Sequence, residues 1–225
     1  MENRTIKKKT VCLLYSFILT VVTVSGIVDG FASSRYSYKY YTYQSNILVA
    51  VVYGIQTVLC IAELAGCRRR LPVFVKGLIT LAIMVTFLTV FLLIDPFVLP
   101  TNWLDARIHF VVPLAVLVEW IVFEPHGKLR AYYPFCWLIV PAAYLGYVFV
   151  LVKRGIRFGV HRVPYFFLDY QGLGWLRVIA YIIMLAVLFL AVGMLMVVTD
   201  RLLGRKRTRR PENNRKNQEV TVPQK

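Results

Sequence analysis

Two short polar segments of this chain contain the residue types that nucleophilic catalysis requires. The first, Tyr40 to Asn46, contains Thr42 followed by four residues whose side chains form hydrogen bonds. The second, Trp103 to Pro113, contains His109 and, four residues earlier, Asp105. A threonine hydroxyl becomes a nucleophile when a base takes its proton, and neutral imidazole is the usual base. A Thr42/His109 pair is therefore a candidate for acyl transfer or ester hydrolysis.

Each segment also has a purely structural interpretation. Thr42 is suited to cap a helix N-terminus, and capping threonines are common. Gln44, Ser45 and Asn46 would then join neighbouring helices through hydrogen bonds. His109 would lie at the membrane interface and bond a backbone carbonyl. The residues alone leave both interpretations open, because separation in sequence does not establish contact in the fold.

Two acidic residues are spaced so that a helix would place them differently relative to His109. On a continuous helix Asp105 shares a face with His109 and would orient the imidazole. Glu119 follows ten residues later, about 15 Å further along the helix axis. We therefore expect Asp105, and not Glu119, to assist His109.

The elements that must position these residues are apolar segments long enough to cross a bilayer. The 225 residues are 58% hydrophobic and 17% charged, which is more apolar surface than a soluble domain could hide. A bilayer core of about 30 Å requires about 20 apolar residues per helix. Six segments are predicted to span, namely Thr10 to Asp29, Thr42 to Ala65, Val75 to Ile94, Ile108 to Phe123, Pro134 to Val152 and Trp175 to Val198.

The predicted fold is thus an all-α, polytopic bundle of six transmembrane helices occupying residues 10–200. The fourth span is short, so it is expected to extend back toward Trp103 or to tilt. Residues 1–9 form a basic N-terminus, and residues 201–225 form a basic tail that composition predicts to be disordered.

The distribution of basic residues predicts that both termini are cytoplasmic. With six spans, one face would contain 19 of the 27 lysines and arginines: four at the N-terminus, four from Arg68 to Lys76, two from Lys128 to Arg130 and nine from Arg201 onward. The other face would contain eight. The positive-inside rule places the richer face in the cytoplasm. We accordingly expect a multi-pass protein of the cell membrane.

The net charge of +16 does not indicate a nucleic-acid partner, because it is concentrated at the ends and between the spans. The expected partners are membrane lipids, with anionic headgroups at the basic tail. The four cysteines form no CxxC pair and none lies near a histidine at metal-ligand spacing. No metal or organic cofactor is implied.

Four short motifs together resemble a family of bacterial six-span membrane proteins. They are Tyr41 to Asn46, His109 to Pro113, Glu124 to Gly127 and Pro164 to Asp169. These proteins look like relatives of the androgen-induced and androgen-dependent TFPI-regulating membrane proteins. The resemblance extends from the second span to the sixth.

The resemblance implies a threonine hydrolase that cleaves fatty acid esters within the membrane. The family's nucleophile stands where Thr42 stands, in a setting mirrored by Lys39 to Tyr43. Its histidine matches His109, ten residues before a glutamate that matches Glu119.

The sequence-based hypothesis is an intramembrane hydrolase of lipid (fatty acyl) esters. Thr42 would attack the acyl carbonyl, His109 would take its proton and Asp105 would orient His109. Ser45 or Asn46 would donate a hydrogen bond to the oxyanion. The alternative is a non-enzymatic transporter or lipid-binding protein that uses the same polar cavity, and a third interpretation is a structural subunit without a site.

Overall fold

The apolar segments form helices because a backbone surrounded by lipid must satisfy its own hydrogen bonds. The structure, a computed structural model, describes residues 2–67 and 70–219. Throughout these ranges the regular structure is helical, apart from one isolated bridge between Phe158 and His161. Arg68 and Arg69, which contribute to the charge count above, and residues 220–225 of the tail lie outside the described residues.

Six helices are long and apolar enough to cross a membrane, which confirms the predicted all-α, multi-pass architecture. They are α1 (Glu2–Ser33), α2 (Tyr41–Leu64), α3 (Val73–Ile94), α4 (Trp103–Phe123), α5 (Tyr133–Lys153) and α6 (Trp175–Glu219). The cytoplasmic location of both termini stays a prediction.

The helix ends differ from the predicted spans where local chemistry extends a helix. The fourth helix begins at Trp103, which confirms the expected extension of the short span; the Asn102 side chain accepts a 2.9 Å hydrogen bond from the Asp105 amide and caps that end. The last helix continues past Val198 to Glu219, and the residues that directly follow Val198 include leucine and arginine, which are good helix formers. The disorder that composition predicts for residues 201–225 stays a prediction.

Two membrane helices contain a π-helical turn. In α3 it covers Val90–Ile94, and the Asp95 amide donates to the Val90 carbonyl five residues earlier at 3.0 Å. In α4 it covers Arg107–Val111, and the Val112 amide donates to the Arg107 carbonyl. Such turns widen the helix and are frequent at functional sites. His109 lies inside the second one.

The third helix is the centre of the bundle, with half of its apolar window buried. On one side, Ile79 and Ile83 of α3 pack with Val49 of α2 and Val112 of α4. On the other side, α3 packs in a second cluster with α5, α6 and the α5–α6 loop, whose buried members include Leu81, Tyr144, Phe167 and Phe189.

A buried charge cluster joins the start of α3 to the end of α4. The Lys76 ammonium lies 2.7 Å from Glu119 Oε2 and 3.4 Å from Glu124 Oε1, and the Lys76 and Glu119 side chains are each only 1% exposed. Tyr53 of α2 donates a 2.8 Å hydrogen bond to Glu119. Burial raises the pKa of Glu124, although the neighbouring Lys76 lowers it.

Replacing Lys76 should therefore destabilise the bundle strongly. Lys76→Met would leave the buried Glu119 carboxylate beside the partly buried Glu124 without this cation, and breaking a buried ion pair costs about 3–5 kcal/mol. The measurement is the free energy of unfolding in detergent micelles. The matched control is Arg70→Gln, since Arg70 is exposed and its pair with Glu63 should contribute no more than about 1 kcal/mol. Equal stability of the two variants would contradict the structural role of the cluster.

Candidate active site

The structure brings Thr42 and His109 into contact. Thr42 is the second residue of α2, and His109 lies in the π-helical turn of α4. The Thr42 Oγ1 atom lies 3.2 Å from His109 Nε2, within hydrogen-bond distance. The Thr42 side chain is buried, and His109 is 18% exposed. When the imidazole is neutral with its proton on Nδ1, Nε2 accepts the hydroxyl proton, as a general base requires.

The Asp105 carboxylate faces the other nitrogen of the imidazole without bonding to it. Its Oδ1 atom lies 4.0 Å from His109 Nδ1, which is beyond hydrogen-bond distance. Its Oδ2 atom instead accepts a 2.6 Å hydrogen bond from Asn102. The π-helical turn between the two residues alters the regular four-residue spacing that the sequence suggested. A negative charge at this distance still favours a proton on Nδ1, so this geometry allows Asp105 an electrostatic effect on the imidazole and no direct hydrogen bond from its carboxylate.

Ser45 and Asn46 do not direct their donors at the Thr42 hydroxyl. Asn46 Nδ2 donates to the carbonyls of Thr42 at 2.7 Å and Ile108 at 3.1 Å. Ser45 Oγ donates to the Thr42 carbonyl at 3.0 Å and lies 2.8 Å from Thr86 Oγ1. Both side chains hold the first turn of α2 against its neighbours, so in this arrangement they position the site and are not directed at an oxyanion.

Two cavities of different character meet at Thr42. An apolar cavity of about 230 Å³ lies between α2, α3, α5 and α6. A more polar cavity of about 600 Å³ lies on the other side and is lined by His109, Asp105 and Asp95. Thr42 and Tyr165 line both cavities. An apolar chain in the first and a polar group in the second would therefore meet at the hydroxyl.

Tyr165 is a functional candidate that the sequence analysis missed. It lies in the loop between α5 and α6, and its ring packs against those of Tyr40 and Tyr144 at centroid distances of 6.1 and 6.4 Å. Burial raises the pKa of Tyr165 to about 12, and hydrogen bonding to Thr42 offsets part of that rise. The sequence feature that could have indicated Tyr165 is its hydroxyl, which lies within the apolar run from Val163 to Leu168.

Lys39 fixes this loop beside the start of α2. Its buried ammonium donates a 2.9 Å hydrogen bond to the Arg157 carbonyl, at the beginning of the loop. The Lys39 carbonyl in turn accepts a 3.2 Å hydrogen bond from Tyr144 of α5. The lysine three residues before Thr42 therefore holds together three segments that surround the hydroxyl.

Arg107 anchors the π-helical turn to α1. Its guanidinium donates to Ser25 Oγ at 2.8 Å and pairs with the carboxylate of Asp29. Arg107 is buried, and the next residue but one is His109. The position of His109 along the bundle is thus fixed on two sides. Arg107 bonds to α1, and the Ile108 carbonyl accepts a hydrogen bond from Asn46 of α2.

None of three comparisons, with protein-family models, with curated proteins and with solved structures, finds a match for this chain.

The contact can be tested without assuming any enzymatic activity. In Thr42→Cys, the imidazole would accept the thiol proton, and the thiolate is the form that reacts with alkylating agents. We expect iodoacetamide at neutral pH to label Thr42→Cys about tenfold faster than the double variant Thr42→Cys/His109→Ala, measured by peptide mass spectrometry. Cys136, which is exposed, supplies the internal reference rate. Equal labelling rates in the two variants would mean that the side chains do not interact.

Proposed function

We propose that this protein is an intramembrane hydrolase of lipid esters, with Thr42 as the nucleophile and His109 as its general base. The single observation that supports it most is the 3.2 Å contact between the hydroxyl and the imidazole at the junction of an apolar and a polar cavity. The resemblance of the surrounding motifs to the androgen-induced and androgen-dependent TFPI-regulating proteins supports the same chemistry.

The first half of the reaction forms an ester on the protein. His109 Nε2 takes the proton of the Thr42 hydroxyl as Oγ1 attacks the acyl carbonyl and forms a tetrahedral oxyanion. When the intermediate collapses, the bond from the carbonyl carbon to the alkoxy oxygen breaks, and His109 returns the proton to the departing alcohol. The products of this half are the free alcohol and an acyl group on Thr42.

The second half repeats these steps with water. His109 takes a proton from a water molecule in the outer cavity, and the hydroxide attacks the acyl carbonyl. The carboxylic acid leaves, and the proton returns to Thr42 Oγ1. This half requires water at His109, and the polar lining of the outer cavity supports that access.

The start of α2 is suited to stabilise the oxyanion. The amides of Tyr43 and Gln44 bond to the Tyr40 carbonyl, whereas the amides of Tyr41 and Thr42 precede them at the positive end of the helix dipole. These two amides donate to the Tyr165 oxygen, so an oxyanion at Thr42 would replace that oxygen as their acceptor and would receive a hydrogen bond from the Tyr165 hydroxyl. We therefore assign the donors to these two amides and to Tyr165, in place of Ser45 and Asn46.

The apolar cavity indicates the substrate class. Its lining is formed by side chains such as Val85, Leu145, Leu185 and Phe189, and these are suited to bind a hydrocarbon chain. An acyl chain there would place its carbonyl at Thr42 and direct the alcohol portion into the polar cavity. Hydrolysis of the ester would then leave the fatty acid in the apolar cavity and the alcohol in the polar cavity.

Substitution of the pair tests the proposal. We expect Thr42→Ala to lower kcat/KM for a fluorogenic fatty acyl ester in proteoliposomes at least about 10³-fold. His109→Ala should lower it about 10²–10⁴-fold, the usual range for a general base. The matched control is Thr89→Ala, which removes another hydroxyl from the same apolar cavity and should retain near wild-type activity. Wild-type turnover by Thr42→Ala would overturn the proposal, because another residue would then cleave the ester. Absence of turnover by the wild type would favour the transporter or lipid-binding alternative.

The role of Tyr165 has its own pH signature. With a pKa of about 12, the hydroxyl keeps its proton between pH 6 and 10 and remains a donor throughout that range. Tyr165→Phe should therefore lower kcat about 10²–10³-fold by an equal factor at every pH in the range. A defect that disappears above pH 9 would show that the donor assignment is wrong, because the wild-type hydroxyl would then be losing its proton in that range.

A further inference from the structure

Two thiols lie side by side at the end of the bundle opposite Thr42. The Sγ atoms of Cys12 on α1 and Cys60 on α2 are 3.6 Å apart. Cys60 is 5% exposed, whereas Cys12 is only partly buried. Cys60 follows Thr42 by 18 residues, which is about 27 Å along the helix axis. This pair is therefore separate from the candidate active site.

A side-chain amide is directed at both sulfurs. Gln56 Nε2 lies 3.6 Å from Cys60 Sγ and 3.9 Å from Cys12 Sγ, one helical turn before Cys60. A donor in this position stabilises the thiolate, which is the reactive form of cysteine. The two sulfurs thus share one activating group and lie close enough for exchange between them.

The pair lines a cavity of about 570 Å³ whose charged lining residues have one more cation than carboxylates, with Lys7 and Arg70 exposed at its entrance. Lys7, Lys9 and Arg70 contribute three cations to its lining, and Glu63 and Glu124 contribute two carboxylates. Glu63 lies 3.8 Å from Lys9 and 3.5 Å from Arg70, and Glu124 lies 3.4 Å from Lys76. An anionic small molecule is therefore favoured over a cationic one at this entrance.

We propose that Cys12 and Cys60 are a reversible dithiol–disulfide site that exchanges with an anionic, low-molecular-weight disulfide entering through this cavity. The half-buried Cys12 thiolate attacks one sulfur of the small disulfide and releases one small thiol. The Cys60 thiolate then attacks the Cys12 sulfur of the mixed disulfide and releases the second. Two electrons and two protons pass from the protein to the two small thiols, and a Cys12–Cys60 bond joins α1 to α2.

The experiment uses the full chain in proteoliposomes with oxidised glutathione as the probe. After incubation, free thiols are blocked with iodoacetamide and peptides are analysed without reduction. We expect a Cys12–Cys60 linked peptide as the main product, lost again on reduction. In Cys60→Ser the reaction should stop at a glutathione adduct on Cys12, while Cys136→Ser, which removes an exposed cysteine, should leave the linked product unchanged.

The entrance is tested by the charge of the probe. Lys7→Gln should slow the reaction with anionic oxidised glutathione about threefold and leave the reaction with neutral hydroxyethyl disulfide unchanged. Adducts confined to Cys67 and Cys136, with Cys12 and Cys60 still reduced, would overturn the proposal. A linked peptide formed equally fast from cationic cystamine and from oxidised glutathione would overturn the role of the basic entrance. Neither readout depends on ester hydrolysis.

Discussion

One buried amide holds together the two helices that carry the candidate site. Asn46 Nδ2 donates to the carbonyl of Thr42 in its own helix and to the carbonyl of Ile108 in α4, next to His109. Asn46 is completely buried, where a donor without partners would be costly. The register of α2 against α4 is therefore set by the group that lies one turn below the hydroxyl. A hydrophobic residue at this position would remove that link and leave the distance between Thr42 and His109 to packing alone.

The other buried polar groups of the bundle also have partners, because a buried polar group without one is costly. Arg107 with Asp29, Lys39 with the Arg157 carbonyl, and Lys76 with Glu119 each join segments distant in sequence. The first two surround the Thr42 end of the bundle, and the third lies toward the other end, near the cavity that contains the two thiols. The third helix contributes buried residues to both clusters of the core, so it packs against all of the helix pairs that these groups join.

The fold and half of the candidate site could be predicted from sequence. Six apolar runs of sufficient length lead directly to six helices. Thr42 and His109 lie near the ends of their predicted spans on the same side of the membrane, so contact between them was possible. The π-helical turn at Arg107–Val111 could not be predicted, because it depends on packing against α1 and α2. With this turn, the Asp105 carboxylate lies 4.0 Å from the imidazole, beyond hydrogen-bond distance. Tyr165 was missed because a loop has no periodicity that would indicate where its hydroxyl points. Ser45 and Asn46 were identified as polar and buried, but the direction of their donors depends on carbonyls in neighbouring turns.

The most direct test of the Thr42/His109 account is covalent capture of the nucleophile. Purified protein in micelles is incubated with a long-chain alkyl fluorophosphonate, and the site of attachment is located by peptide mass spectrometry. A catalytic Thr42/His109 pair predicts the label on Thr42 in the wild type and its near-complete loss in His109→Ala, since the hydroxyl is unreactive without a base. Label on another residue, or undiminished label on Thr42 in His109→Ala, would contradict it.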